Sequence, residues 1–420
     1  MAHPDSRRCI SYITKLLSSL DERFTRQRIW GPRSVWVALL LLTRPDCRMT
    51  YRKTVKSIVH DAAEFLGWHR SPSIASLSSA RRKLSISVCR TVLHRITTHL
   101  SSMQRACFRH HHLRRFIAID GVRLICPRTI ETLRRLSRPR YSPWLLSHYP
   151  QALVVVAFDV IRRMPLEWAL LPKGRGERAA MQPLLTTLRR GDVAILDRGF
   201  PARWLFRLLH DHGVDVVVRM TAAAQGAWPE VERFLRSQAQ TAVVSCELDD
   251  GRSITVRLVR KSFRVGRPRK HQRAETMVIL TTLLPRDGFE AKDIIDLYSR
   301  RWGIETLFRE MKEAFTIERF RSRSLKGIEQ EVSAVLAWLA LSAVLQDHIE
   351  HALGDGRRAV MSLCRSAVEE LLLADWRGDD IDAAIDSWTE HLRRYAYKPR
   401  PGRSFERKTK RPWGRFRQAC

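Results

Sequence analysis

Four polar side chains recur at helical spacing in Tyr298–Lys312, YSRRWGIETLFREMK. Tyr298 lies 7 residues before Glu305, Arg301 lies 4 before it, and Lys312 lies 7 after it. At ~100° per residue these groups project within an arc of about 60° on one helix face, with Arg309 at its edge. Charge pairs on a helix surface usually serve solubility. One carboxylate among several cations and a phenol also suits holding a metal ion and clamping phosphates.

Two further acids stand where chemistry is commonly placed. Asp120 closes the apolar run FIAID, and Asp197 follows the apolar run VAIL and precedes Gly199. Asp120-Gly121 reads equally as a hairpin turn. The bland reading of Asp197 is a helix cap, but Pro201 sets the next helix start and makes Phe200 the cap. A carboxylate at the C-terminal end of a strand opens onto the face where α/β sites form. Asp159, ending the next apolar run, is a rival to Asp120. Two or three convergent carboxylates hold two divalent cations, and oxygen-only donors suit Mg²⁺ or Mn²⁺. The chemistry is then in-line displacement at phosphorus.

Other chemistries find little support. No nucleophile elbow appears, and Lys173-Gly174-Arg175-Gly176 lacks the Gly-Lys-[Ser/Thr] ending of a phosphate loop. The 8 cysteines form no Cys-x-x-Cys pair, which argues against a zinc site and for a reducing cytoplasm. The run Arg109-His110-His111-His112 reads as a solvated basic linker. The N-terminus lacks a signal-peptide core, and the apolar runs Trp36–Leu42 and Val335–Leu345 are too short to span a bilayer.

The elements that must position these residues fall into blocks. Spacing of 3.6 predicts helices over Ile10–Leu20, Ser34–Leu42, Tyr51–Phe65 and Val88–Leu100, with a Ser-capped, Arg-rich helix within 71–86. From Phe116 the texture turns to strands, FIAID, LVVVAFDVI and PLEWALLP, then a helix over Arg178–Leu188, the strand of GDVAILDRGF, a helix from Pro201, and VDVVVRM. That order describes an α/β domain with a mixed sheet. TAVVSCEL, RSITVRLVR and TMVILTTLL then read as an antiparallel β insert with a basic tip. The helix bearing Glu305 follows, then an apolar, buried helix over 332–349. The tail from Arg393 to Cys420 is basic, Pro/Gly-broken and aromatic-interleaved, and would track a phosphate backbone. Net charge is +32 over 420 residues, which implies a polyanionic partner, DNA or RNA.

Asp120, Asp197 and Glu305 in this order, with Tyr298-x2-Arg301-x3-Glu305-x6-Lys312, resemble the DDE transposases of the IS4-type insertion-sequence family. FIAIDGVRL, AILDRGF, SLSSARRKL and the RPGRSFERKTKR tail carry the likeness over roughly residues 71–411. The 108-residue gap from Asp197 to Glu305 suits that family's β-strand insertion. One departure is Val122, where many relatives carry a small hydroxyl residue. The resemblance implies an RNase H-like mixed-sheet catalytic core with an antiparallel β insertion, an N-terminal helical domain and a basic C-terminal tail. It implies two Mg²⁺ ions, with Mn²⁺ substituting, held by Asp120, Asp197 and Glu305. It implies cut-and-paste cleavage of transposon ends, usually through a hairpin, and strand transfer into target DNA. Tyr298, Arg301 and Lys312 would contact terminal phosphates and position a flipped nucleotide, with Trp302 or Trp228 as its stacking partner. Arg309 would reach the same DNA.

The expected division is a helical DNA-binding domain over 1–112, core over 113–220 and 286–350, β insertion over 221–285, and a C-terminal region over 351–420. A homodimer is expected, because synapsis joins two ends, in a cytoplasmic, nucleoid-associated protein without a membrane. The competing expectations are a decayed or domesticated DNA-binding copy and a nuclease of the same fold.

Overall fold

The computed structural model describes residues 30–45, 49–103, 114–136, 149–172, 175–221, 228–267, 270–354 and 356–399. The expected helix at Ile10–Leu20, the histidine run, the side chains at the tip of the β insert and residues 400–420 of the basic tail lie outside them.

The fold is mixed α/β, built on one eight-stranded sheet. Its strands are β1 (Phe116–Ile125), β2 (Gln151–Asp159), β3 (Met164–Pro172), β4 (Val193–Leu196), β5 (Asp215–Met220), β6 (Thr241–Glu247), β7 (Ser253–Arg267) and β8 (Lys270–Thr281). Their spatial order is β3-β2-β1-β4-β5-β8-β7-β6. The first five make an RNase H-like core, in which β1, β2 and β3 are antiparallel while β4 and β5 run parallel to β1. The antiparallel insertion β6-β7-β8 continues this sheet, because β8 pairs with β5. The central strands are apolar on both faces and read as continuous hydrophobic runs.

Helices cover the sheet and its flank. α1 (Pro32–Leu42), α2 (Tyr51–Asp61), α3 (Ile74–Lys83) and α4 (Ile86–Met103) precede β1, and α5 (Ile130–Leu136) follows it. α6 (Met181–Leu184), α7 (Arg203–Asp211) and α8 (Pro229–Arg236) are short. α9 (Ala291–Ser299) and α10 (Trp302–Glu313) precede α11 (Leu325–Leu353), α12 (Met361–Arg377) and α13 (Ile381–Arg394). Thr50 and Ser73 cap α2 and α3 by accepting hydrogen bonds from Lys53 N and Ser76 N.

The long helix α11 unites the molecule. It packs on α1, α4, α12 and β3, and Trp338 Nε1 donates to Leu40 O at 3.0 Å. At 29 residues it is longer than the apolar run in the sequence suggests, and by length and composition it could cross a membrane. Its apolar window is 89% buried inside the protein, so its apolarity here serves a core.

Candidate active site on the sheet

Asp120 and Asp197 meet because of strand register. Parallel pairing of β1 and β4 places Ala118 beside Ile195. Two residues on along each strand, on the same face by alternation, stand Asp120 and Asp197. Asp120 does not end its strand, contrary to the expectation from Asp-Gly. β1 continues to Ile125 because β2 pairs with it throughout, from Ile117↔Asp159 to Ile125↔Gln151. On its other side β4 stops at Leu196, so a crevice opens beside Asp120. Asp197 starts the turn after β4, accepting from Gly199 N at 2.7 Å. The next helix begins at Arg203 with Ala202 as its cap, two residues later than Pro201 suggests.

The cationic stripe is carried by two helices rather than one. α9 ends at Ser299, and α10 begins at Trp302 with Arg301 as its cap residue. Arg301 keeps helical angles (φ −50°, ψ −35°), so the stripe survives the break. Arg301 is 6% exposed. Its Nη1 donates to Asp120 Oδ2 at 2.9 Å and its Nη2 to Glu305 Oε1 at 3.0 Å. This guanidinium ties β1 to α10, and the salt-bridged carboxylates take a cation between them. Among the described residues its buried Nε–H has no hydrogen-bond partner.

A fourth carboxylate, Glu177, joins this group. It opens a 3-10 turn (Glu177–Ala180) between β3 and α6. A Cβ placed on Gly121 would come within 2.8 Å of Glu177 Oε1, so the absence of a side chain there admits this carboxylate. Burial pushes the Glu177 carboxyl up to about 7, helped by the charges of Asp120 and Asp197. Burial also raises Asp120; its bond from Gly121 N and the Arg301 charge oppose this, while Asp197 and Glu305 add to it. The centre therefore holds more negative charge than Arg301 neutralises.

The sign of the Glu177 shift gives a stability prediction. A carboxyl raised from its usual 4.5 to about 7 on folding contributes most below pH 4.5, and the contribution is lost as pH rises toward 7. In EDTA buffer, Glu177→Gln is expected to raise Tm above pH 7 by roughly one or two degrees and to leave it unchanged at pH 4.5. An equal shift at both pH values would contradict the electrostatic origin.

The remaining sequence-derived residues separate into two groups. Tyr298 is buried, 4% exposed, and that burial raises its phenol. Lys312 is exposed; its Nζ donates to Arg123 O at 2.8 Å and lies 3.5 Å from Glu318. Arg309 is exposed on α10, and Trp302 is 51% exposed with the Arg301 guanidinium 5.3 Å from its ring. Trp228 packs instead against Phe206 and under Arg203, 4.5 Å away. Asp159 is fully buried; it accepts from Ile161 N and Arg162 N and pairs with Arg162 at 2.9 Å, which makes it a turn-fixing residue.

The donor set is all carboxylate oxygen and in charge deficit, which suits a hard divalent cation. Among the described residues no three acidic, histidine or cysteine side chains form a ready-made cage, because Arg301 lies between two of the acids.

Fold and site together define a carboxylate centre on an RNase H-like sheet. The transposase DDE domain family matches residues 114–341, more than half of the chain, and the chain belongs to that family. Among solved structures it is similar to a piggyBac transposase in a synaptic complex with hairpin DNA. That likeness has 12% identity and a TM-score of 0.45, and covers 94% of this chain and 84% of the other. No curated protein sequence matches.

Proposed function

We propose that this chain is an IS4-type transposase of a bacterial insertion sequence, cutting DNA at the element ends and joining the freed 3′-hydroxyl to target DNA. What supports this reading is that Arg301 bridges Asp120 and Glu305 and that strand register brings Asp197 beside Asp120, in a chain of the DDE domain family. Asp120, Asp197 and Glu305 would hold two divalent cations, Mg²⁺ with Mn²⁺ as substitute. Cations bound there would lower the pKa of the attacking hydroxyl or water and stabilise the leaving oxygen.

The chain's own groups have separate tasks. Arg301 spans two of the acids, and its guanidinium fork suits a phosphodiester as well as a carboxylate. A phosphodiester held by that fork would leave Asp120 and Glu305 to hold the cation. Lys312, Arg309 and the buried Tyr298 hydroxyl line the approach on α9 and α10, and the exposed Trp302 ring offers a stacking face for an extruded base. The division into a DNA-binding region over 1–112, core over 113–220 and 286–350, insertion over 221–285 and C-terminal region over 351–420 is part of the same reading. So are a homodimer at synapsis and a cytoplasmic, nucleoid-associated location.

Strand transfer separates this reading from a plain nuclease. With pre-cut ends, a supercoiled target and Mg²⁺, covalently joined products are expected on a gel. Target nicking without joined products would support the nuclease reading.

A further inference from the structure

A cavity of about 890 Å³ lies away from the carboxylate crevice, where α3 meets the start of α11. Five cations line it: Arg81 and Arg82 from α3, Arg321 and Arg323 from the segment before α11, and Lys326 from its first turn. Glu131 is the one acid among its lining residues. Arg82 and Arg323 are exposed and have no ion pair or side-chain hydrogen bond among the described residues. By contrast, Arg81, one residue earlier, is buried and fully engaged with Tyr51, Gly327 O, Gln330 and Glu331. Arg82 and Arg323 are thus cations of the cavity that the fold does not use, beside Arg81, which it does.

The walls are built rather than casual. Lys326 Nζ donates to Arg82 O at 2.7 Å, and Gln330 Nε2 donates to Arg81 O and Leu84 O. A Cβ on Gly327 would fall 1.8 Å from Ser322 Oγ, so only glycine lets the 322–324 segment fold against α11. Thr129 Oγ1 donates to Arg323 O, which ties this segment to the chain leaving β1. Glu318 Oε1 accepts from Ile125 N, and Lys312 bonds to Arg123 O, so the same segment follows β1 away from Asp120.

We propose that this cavity is a second phosphodiester-binding site, which takes the backbone of duplex DNA running from the carboxylate crevice toward the N-terminal helices. It rests on the reading that the chain acts on DNA. Exposed cations such as Arg82 and Arg323 neutralise phosphates, and the size exceeds what a single ion fills.

The test uses the full chain and a 30-bp duplex followed by fluorescence anisotropy at several salt concentrations. Arg82→Gln, Arg323→Gln and Lys326→Gln combined are expected to weaken binding about tenfold or more and to flatten the log–log salt slope by about 2–3, at ~0.9 per lost phosphate contact. Tm should stay within about a degree or two of wild type, since Arg82 and Arg323 make no ion pair among the described residues and Lys326 gives up one exposed bond, to Arg82 O. Glu305→Gln should leave the slope unchanged. Duplex DNA should also protect Lys326 from acetylation. An unchanged slope in the triple variant would overturn the proposal, as would protection of Lys326 by inorganic phosphate or RNA but not by duplex DNA. A wild type that binds with the expected slope yet cuts nothing would leave this site standing and sink the transposase reading.

Discussion

Asp120→Asn is expected to lower metal-dependent DNA cleavage by roughly a thousandfold or more while leaving DNA affinity within about twofold. The substitution keeps size and an acceptor for Arg301 Nη1, now 2.9 Å from Oδ2, so the tie from β1 to α10 survives. It removes one negative charge from a centre that Arg301 bridges. The control is Asp159→Asn, on the neighbouring strand. Asp159 is paired with Arg162 and two backbone amides, so its loss should lower Tm and spare the rate per folded molecule. Single-turnover cleavage and thermal melting of both variants check the pair. Loss of cleavage in Asp159→Asn with retention in Asp120→Asn would reverse the assignment.

Glu331→Ala is expected to be the most damaging single change to the fold. Glu331 is fully buried and lies 3.3 Å from Arg81, which is itself 4% exposed. Its carboxylate also accepts from Arg321 N at 3.1 Å and Ser322 N at 2.8 Å. Truncation strands a buried guanidinium and two amides, a loss of about 3–5 kcal/mol. Chemical denaturation should show that loss, and Arg81→Met with Glu331→Leu should recover part of it, because an apolar pair leaves no buried charge unpaired. A single-variant loss below about 1 kcal/mol would mean the pair is hydrated in solution.

This pair also marks where sequence reading ends. Arg81 and Glu331 stand 250 residues apart, and no local pattern links them. The β-run and helix order from Phe116 was legible, because strand runs and turn residues are local signals. So was the position of Asp197, which follows an apolar strand directly. Asp120 was legible as an acid on a strand but not in its setting: Asp-Gly resembles a turn, and only full-length pairing with β2 keeps β1 extended past it. The single helix expected across Tyr298–Lys312 is broken at Arg300–Arg301 with no proline there to announce it, although the face it presents is kept.

Glu177 escaped for a different reason. It follows a Gly-rich loop, begins a 3-10 turn without periodic spacing, and reaches the crevice only because β3 and the turn fold back over Gly121. The lone sequence hint is the glycine beside Asp120, whose meaning depends on what packs over it. Asp159 shows the converse, since an acid at a strand end can be satisfied wholly within its own turn.

The central claim is that Asp120, Asp197 and Glu305 form a cation-dependent DNA-cutting centre. The most direct measurement incubates the full chain with linear DNA carrying the flanking ends of its own element, with Mg²⁺, Mn²⁺ or EDTA, for wild type and Glu305→Gln. The account predicts nicks or hairpins at those ends in either metal, absent with EDTA and in the variant. Tight binding without cleavage in both metals, or cleavage that Glu305→Gln retains, would contradict it.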